Sequence, residues 1–283
     1  MSLAQTLFIG LLQGASELFP VSSLGHAVIV PALLHWTFKQ SDPRYVPFLT
    51  LLHLGTAGAL LVLYRHDWWV TIPAFFRAAL RGSIKDRDEK TAMLLVVATI
   101  PAGAVGFVLQ QPLKSLFASP LAAAGFLIVN GLILLGAERL RRRSERQGID
   151  RQSQEADFKS AGALSFKAAA IVGVAQALAL LPGISRSGVT MAGGLVAGLR
   201  HQEAARFSFM LATPIIAAAG LLEVPQLFSA DAPWGAYVAA ALVAALAAYG
   251  SARFLLRYFR SGRLDPYGWY SIAIGVLAIA LLR

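Results

Sequence analysis

The sequence contains no cysteine and few charged residues. Of its 283 residues, 0 are Cys and 14% are Asp, Glu, Lys or Arg, whereas a soluble domain carries about 25% charged residues. The absence of cysteine excludes disulfides, thiolate nucleophiles and Cys-ligated metals. Because no lysine or arginine precedes the first apolar run, and Gln13 and Glu17 interrupt it, no cleavable signal peptide is expected.

Hydrophobic residues, by contrast, make up 57% of the chain and are gathered in long runs. Several runs approach the roughly 20 residues that a helix needs to cross about 30 Å of hydrocarbon, and the alternating segments typical of membrane barrels are absent. The sequence therefore predicts an all-α integral membrane protein. The six predicted transmembrane helices cover residues 47–64, 91–110, 121–138, 207–224, 234–256 and 266–282.

The excess of basic residues sets the predicted topology. The formal net charge is +10, but the basic residues sit between apolar runs and not on a soluble basic face, so nucleic acid is not an expected partner. Three basic connections, at residues 77–90, 139–151 and 253–263, are expected in the cytoplasm. The other connections are shorter and poorer in basic residues, so both termini are predicted to face outward.

Two further regions do not fit as crossings. Residues 3–35 would start and finish outside, and residues 164–200 would start and finish inside, so each is predicted to contain a re-entrant helical hairpin. Pro20 and Pro182 stand where the first leg of each hairpin ends. Proline lacks the amide donor that would continue a helix, so the chain is expected to turn there.

The two hairpins resemble one another, which predicts an internal duplication. Pro20 to Ser23 has the same spacing as Pro182 to Ser185, with a glutamine upstream and a span downstream of each. One copy enters from outside and the other from inside, so the halves are predicted to be inverted-topology repeats. The expected organisation is a single membrane domain, residues 1–283, made of repeat 1 (about 1–140), a basic linker (about 139–160) and repeat 2 (about 161–283).

Chemistry is expected where the hairpins meet, in the first polar segment (residues 13–26) and the second polar segment (residues 182–190). Irregular backbone at membrane depth is tolerated only where it is buried or lines a cavity. An ionised Glu17 at that depth would cost roughly 2.5 to 3.5 kcal/mol, so the segments are predicted to face one another across a pocket. Arg186 and the free amides of the helix after it suit phosphate oxygens. The residues expected to bind phosphate are Ser22, Ser185, Arg186, Ser187, Gly188 and Thr190.

The first polar segment supplies the reactive groups. Glu17 or His26 could take a proton from Ser23 or from water, and the other could protonate a leaving oxygen. Alternatively, Gln13 and Glu17, four residues apart on one helix face, would coordinate a divalent cation that bridges phosphates. The spacing leaves both open. His53, in the next span, could approach the pocket, but a catalytic or ligand role there is the less favoured interpretation.

These motifs resemble those of a known family. Gln13-x-x-x-Glu17, Pro20-Val21-Ser22-Ser23-x-Gly25-His26 and Pro182-Gly183-x-Ser185-Arg186-Ser187-Gly188 resemble the bacterial undecaprenyl pyrophosphate phosphatase family, also called the bacitracin-resistance protein family. The resemblance covers essentially the whole chain in length, hydropathy and order of motifs. It implies hydrolysis of undecaprenyl pyrophosphate to undecaprenyl phosphate and inorganic phosphate in the bacterial inner membrane, which recycles the lipid carrier for peptidoglycan synthesis and confers bacitracin resistance.

The resemblance also implies a set of essential residues and a cofactor. Glu17, Ser23, His26 and Arg186 match positions treated as essential in the family, which is associated with Mg²⁺ or Ca²⁺ and with a site open to the outer, periplasmic face. The family's acidic motif begins with Glu or Gln, and Gln13 is the amide version, which weakens any mechanism that needs two carboxylates. The expected partners are the polyprenyl pyrophosphate and membrane lipid, and the sequence leaves a homo-oligomer open.

Two mechanisms and a second class of function are consistent with this pattern. In the first mechanism Glu17 deprotonates Ser23, which attacks the terminal phosphorus while Arg186 stabilises the developing charge. In its rival, Glu17 and a metal ion activate water. Inverted repeats with broken helices are also the architecture of secondary transporters, so the alternative function is a lipid-phosphate flippase or anion transporter. A Glu, a Ser and a His clustered opposite an anion site favour the enzyme.

Overall fold

The computed structural model describes residues 1–36, 42–109, 119–146, 164–228 and 232–283. The regular structure of these ranges is helical, and they contain no strand. The α-helices are α1 (Leu3–Glu17), α2 (Ser23–Leu33), α3 (Tyr45–Leu63), α4 (Arg65–Arg81), α5 (Arg87–Val108), α6 (Pro120–Arg146), α7 (Phe166–Ala177), α8 (Arg186–Val196), α9 (His201–Glu223), α10 (Trp234–Tyr258) and α11 (Asp265–Leu282). Short 3-10 turns follow α7 and α9.

Six of these helices are long and apolar enough to cross a membrane. They are α3, α5, α6, α9, α10 and α11, each with an 18-residue stretch of high hydropathy that carries at most two charged residues. Each coincides with one of the apolar runs from which a span was predicted. The prediction of an all-α, multi-pass membrane protein with six transmembrane helices is therefore confirmed.

Two helix boundaries differ clearly from the predicted ones. Helix α9 begins at His201 and not at residue 207, because Glu203 caps it: its Oε2 accepts a hydrogen bond of 3.2 Å from the backbone amide of Arg200. Helix α6 extends to Arg146, so the first part of the predicted basic linker is helical. The rest of that linker, residues 147–163, lies outside the described residues.

Helix α4 was not predicted, because its residues were interpreted as a basic connection. The helix mixes aromatic residues with Arg65, Arg77 and Arg81, so it has no sustained apolar run from which it could be predicted. Asp67 lies in its first turn and Arg81 in its last, which is the charge distribution that the helix dipole favours. It ends at Gly82, whose φ of 68° is a left-handed conformation typical of a helix C-terminus.

The predicted hairpins correspond to two pairs of short helices. Helices α1 and α2 have 15 and 11 residues, and α7 and α8 have 12 and 11. Except for α1, these lengths fall well short of the roughly 20 residues needed to cross a bilayer. Re-entry into the membrane stays a prediction for both pairs, as does the division of the chain into inverted repeats.

Each short pair packs against a long helix from the other half of the chain. Helix α1 packs against α10, and α7 packs against α5. Glycines allow both approaches: a β-carbon on Gly14 would lie 2.1 Å from the carbonyl oxygen of Ala244, and one on Gly173 would lie 2.6 Å from that of Ala98. The two polar segments are thus positioned by contacts that link the halves.

Candidate active site

The two polar segments meet at their turns. Ser22 donates a hydrogen bond of 3.3 Å from its hydroxyl to the backbone oxygen of Ile184. A β-carbon on Gly25 would lie 2.9 Å from the Cα of Gly183. The backbones of the two turns are therefore in direct contact, which is closer than the predicted arrangement of the two segments across a pocket.

Local chemistry explains why each turn is followed at once by a new helix. Ser22 caps α2 and Ser185 caps α8, since their hydroxyls accept hydrogen bonds from the amides of Gly25 (3.2 Å) and Gly188 (3.1 Å). Ser22 has φ 64°, a conformation that costs a non-glycine residue about 1 to 3 kcal/mol. The second turn has Gly183 at φ 107°, a positive φ that glycine adopts without this cost. Both helices therefore begin at the meeting point, where their free amides favour anions.

Asn130, in the middle of α6, holds the two turns together. Its Nδ2 donates to the backbone oxygen of Pro20 (3.0 Å) and to the hydroxyl of Ser271 (3.1 Å), and its Oδ1 accepts from the amide of Ser185 (3.0 Å). The residue is fully buried. The sequence analysis missed it, although a single amide inside an apolar span is a recognisable signal of a buried polar contact.

Glu17 is the centre of the site. Its carboxylate is buried, with Arg186 donating to Oε1 and the hydroxyl of Ser23 donating to Oε2, both in very short hydrogen bonds. The Nε2 atom of His53 lies 3.0 Å from Oε2. Glu17, Ser23 and Arg186 are thus brought together as predicted, and His53, which the sequence analysis regarded as the less favoured candidate, joins them.

Arg186 has N–H groups left with which it can bind a ligand. One terminal nitrogen contacts Glu17 and the other, Nη1, donates to the backbone oxygen of Ala212 at 3.0 Å. A guanidinium carries five N–H groups. The side chain is about 15% exposed and lines the cavity, so it can meet phosphate oxygens without leaving Glu17.

Gln13 is oriented as a hydrogen-bond donor to Glu17 and not as a metal ligand. Its Nε2 lies 3.4 Å from Oε2 of Glu17, and its Oε1 accepts from the hydroxyl of Thr56 at 3.3 Å. Both oxygens of Glu17 are already engaged, and the described residues contain no group of three or more His, Cys, Asp or Glu that could hold a metal ion. The residues at this position therefore do not fit a cation held by the protein through Gln13 and Glu17.

The residues predicted to bind phosphate divide into two groups. Ser22, Ser185 and Arg186 line the cavity. Ser187 donates instead to the backbone oxygen of Phe19 (3.0 Å), and Thr190 bonds the backbone oxygen of Arg186 (2.7 Å). Gly188 uses its amide to cap α8. The structure thus places the hydroxyls of the second group in contacts that support the turns.

His26 is not among the residues that line the cavity, and its ring packs against α11 instead. Its Nδ1 is 2.7 Å from the backbone oxygen of Ser22, and its Nε2 is 2.9 Å from the hydroxyl of Tyr270, against which the ring stacks. Within the part of the chain that the structure describes, its ring makes no hydrogen bond to Glu17, Ser23 or Arg186. The ring instead fixes the carbonyl of Ser22, the residue with the unusual φ. Its predicted part in proton transfer stays a prediction.

A cavity of about 170 Å³ opens at these groups. Its polar lining includes Glu17, Ser23, His53 and Arg186. Most of the other lining residues are apolar and come from α3, α9, α2 and the second turn with the 3-10 segment before it; five of them lie on α3 and α9. These apolar residues are Val46, Leu49, Ile215, Ile216 and Ala219. A cavity that combines a guanidinium and helix amides with an apolar lining has the chemistry expected for a lipid whose headgroup is a phosphate.

Comparison with known proteins gives matches along almost the whole chain. A family model described as bacitracin resistance protein BacA matches residues 6–277. The chain is 44% identical to an undecaprenyl-diphosphatase of Acidiphilium cryptum, in an alignment that covers 98% of this chain and 96% of that protein. It is 45% identical to an undecaprenyl-diphosphatase of Gluconacetobacter diazotrophicus, covering 100% and 98% of the two chains. It is 42% identical to undecaprenyl-diphosphatase 2 of Chromobacterium violaceum, covering 99% and 98%.

Proposed function

Because this chain belongs to the family of bacitracin resistance protein BacA, we propose that its Glu17 site carries out the reaction for which its relatives are named. The chain is an undecaprenyl-diphosphatase, which hydrolyses undecaprenyl pyrophosphate to undecaprenyl phosphate and inorganic phosphate. The product is the lipid carrier that peptidoglycan synthesis reuses, and its recycling explains the link to bacitracin resistance in the family's name. The assignment of this chemistry to Glu17, Ser23 and Arg186 is our proposal.

The proposal rests above all on one observation, that Glu17 accepts hydrogen bonds from Ser23 and Arg186 at once. A serine hydroxyl bonded to a buried carboxylate is a nucleophile beside its general base. A guanidinium at the same carboxylate can hold phosphate oxygens in a planar, two-point contact. We expect the diphosphate to contact the polar lining of the cavity, with the polyprenyl chain leaving between α3 and α9.

In the first step, Oε2 of Glu17 takes the proton of the Ser23 hydroxyl as Oγ attacks the terminal phosphorus. The bond between that phosphorus and the bridging oxygen breaks, and undecaprenyl phosphate leaves with the bonding electrons. Arg186 and the amides at the start of α8 stabilise the charge that develops on the phosphoryl oxygens. Glu17 then passes this proton to an oxygen of the departing undecaprenyl phosphate and is again a carboxylate. In the second step, water attacks the phosphoserine while Glu17 takes a proton from that water. The bond between phosphorus and Oγ breaks, Oγ receives the proton from Glu17, and inorganic phosphate leaves.

We propose that any divalent cation arrives with the substrate. Mg²⁺ commonly binds through one or two carboxylates together with substrate phosphates, and it screens the charge of the diphosphate when bound. Because Gln13 donates to Glu17 and the carboxylate is already engaged, this chain offers no preformed ligand set at that position. Binding and orientation of the headgroup therefore fall to Arg186, Ser185 and the helix amides.

We further propose a bacterial inner-membrane location, with the cavity and both chain termini at the periplasmic face. The support is the distribution of basic residues along the chain. Connections rich in lysine and arginine stay in the cytoplasm, which puts the three basic connections on one side of the membrane. In that orientation the substrate is the diphosphate exposed at the outer leaflet.

The test is phosphate release by detergent-purified protein from undecaprenyl pyrophosphate. The wild type is expected to release inorganic phosphate. Arg186→Lys keeps the charge but loses the two-point contact, so its kcat/KM should fall by roughly 100-fold or more, equivalent to the loss of one strong charged contact. Tight binding of the lipid without release by the wild type would favour a flippase or anion transporter, and near-normal kinetics of Arg186→Lys would make that residue structural.

A further inference from the structure

The imidazole of His53 contacts the same carboxylate oxygen as the attacking hydroxyl. Oε2 of Glu17 accepts from Ser23 and lies 3.0 Å from Nε2 of His53. We propose that His53 is a positioning residue, which holds this oxygen in place so that Glu17 can deprotonate Ser23. The inference deepens the function proposed above and rests on it.

The hydrogen-bonding pattern fixes what the ring can do. Nδ1 of His53 lies 2.6 Å from the backbone oxygen of Leu49, four residues earlier on α3. A carbonyl oxygen only accepts, so Nδ1 carries the hydrogen of that bond. The ring is thereby held in one orientation, and Nε2 is directed at Glu17. Oε2 already accepts the hydrogen of Ser23 and therefore belongs to a carboxylate. Nε2 carries the hydrogen of the second bond, so His53 donates to Glu17 as an imidazolium.

The other contacts of Glu17 do not replace this bond. Arg186 is bonded to Oε1, the opposite oxygen. The amide of Gln13 also donates to Oε2, but over 3.4 Å, which is longer than the 2.7 to 3.2 Å typical of an N–H···O hydrogen bond and makes it the weaker contact. His53 is therefore the closer of the two N–H groups at Oε2. Without it, the position of the catalytic oxygen would depend on Ser23, the group that Glu17 has to deprotonate.

The helix that presents His53 is fixed on several sides. Leu49 and Leu52 on α3 are 2% and 0% exposed. A β-carbon on Gly55 would lie 2.2 Å from the carbonyl oxygen of Ala241, so α3 and α10 are in backbone contact. The side chains that α9 contributes to the cavity wall are all apolar. The charged groups near the His53 ring are Glu17 of α1 and Arg186 of α8. A rigid helix presenting a fixed donor is what positioning requires.

The experiment compares three variants by steady-state phosphate release from undecaprenyl pyrophosphate. His53→Leu removes the donor, and His53→Gln keeps an N–H group at a similar reach. His66→Leu makes the same chemical change at an exposed histidine of α4 and serves as the control. Thermal unfolding of each preparation reports whether the variants remain folded.

We expect kcat of His53→Leu to fall roughly 10- to 100-fold, the scale of a catalytic group displaced by up to 1 Å, while KM changes by less than about threefold. His53→Gln should recover most of that loss, and His66→Leu should match the wild type. Unchanged kcat in His53→Leu would overturn the inference. So would a His53→Gln that is as slow as His53→Leu while remaining folded, or a rise in KM at constant kcat, which would make His53 a substrate-binding residue. Failure of the proposed function would appear separately, as absence of release by the wild type.

Discussion

At the scale of single residues, the site is defined by polar side chains that satisfy one another away from water. Glu17 on α1 is bonded to Arg186 on α8 and to Ser23 at the start of α2. A buried carboxylate is tolerated because each of its oxygens has a charged or polar donor. The same bonds that stabilise it hold the proposed nucleophile, Ser23, beside the proposed phosphate-binding group, Arg186. In this proposal, stability and chemistry depend on the same few atoms.

Asn130 provides a residue-scale prediction. Asn130→Leu leaves the amide of Ser185 and the carbonyl of Pro20 without a partner, so the free energy of unfolding should drop by about 1 to 3 kcal/mol. Because the two turns would separate, phosphate release should also slow by more than roughly tenfold. Unfolding in detergent and steady-state kinetics measure the two effects. Val129→Leu, at an exposed neighbouring position, is the control. Full activity and stability in Asn130→Leu would mean that the turns do not need the amide.

At the scale of helices, the sequence analysis succeeded where a signal is local. Pro20 and Pro182 correctly predicted that the first helix of each pair stops before the proline, because a missing amide prevents a helix from continuing. The helices end a few residues earlier, at Glu17 and Ala177. His53 was the less favoured candidate and Asn130 was not predicted at all. One polar residue in an apolar run indicates a buried polar contact but does not identify its partner. Helix α4 was not predicted, because its mixture of aromatic and basic residues is typical of a connection between spans. These features depend on packing between distant segments, which periodicity does not report.

Close packing of α1 on α10 gives a prediction at the same scale. Any side chain at Gly14 would bring a β-carbon to 2.1 Å from the backbone oxygen of Ala244. Gly14→Ala should therefore push α1 away and displace Glu17, one turn further along, with a loss of activity of roughly 100-fold for a shift of about 1 Å. Gly58→Ala is the matched control, since nothing lies within 4 Å of its β-carbon and alanine favours a helix by about 1 kcal/mol. Equal activity in the two variants would contradict this account of the α1–α10 contact.

At the scale of the whole molecule, the halves of the chain depend on each other. Helix α1 packs on α10, and α7 packs on α5. Glu17 and Arg186 come from opposite halves and meet across 169 positions of sequence. Six spans could be predicted because length and hydropathy are properties of each run alone. The cost of burying polar groups indicated that the two short helix pairs meet. The side chains that touch could be identified only from the three-dimensional structure.

The predicted orientation can be tested on this cysteine-free chain. Single cysteines at Ser119, Ser83 and Ser261 sample one predicted outer connection and two predicted cytoplasmic ones. A membrane-impermeant thiol reagent added to intact cells should label Ser119→Cys and spare the other two, because basic connections stay inside. Permeabilised cells, in which all three should react, provide the control. Labelling of Ser83→Cys and Ser261→Cys with protection of Ser119→Cys would reverse the topology and place the cavity at the cytoplasmic face.

The most direct test of the central claim is to trap the covalent intermediate. Protein mixed with undecaprenyl pyrophosphate labelled in its terminal phosphate is quenched with acid within one turnover, digested and analysed by mass spectrometry. We expect the label as phosphoserine on the peptide that contains Ser23, and its loss together with turnover in Ser23→Ala. Full phosphate release by Ser23→Ala, with no label on that peptide in the wild type, would contradict the account and indicate direct attack by water.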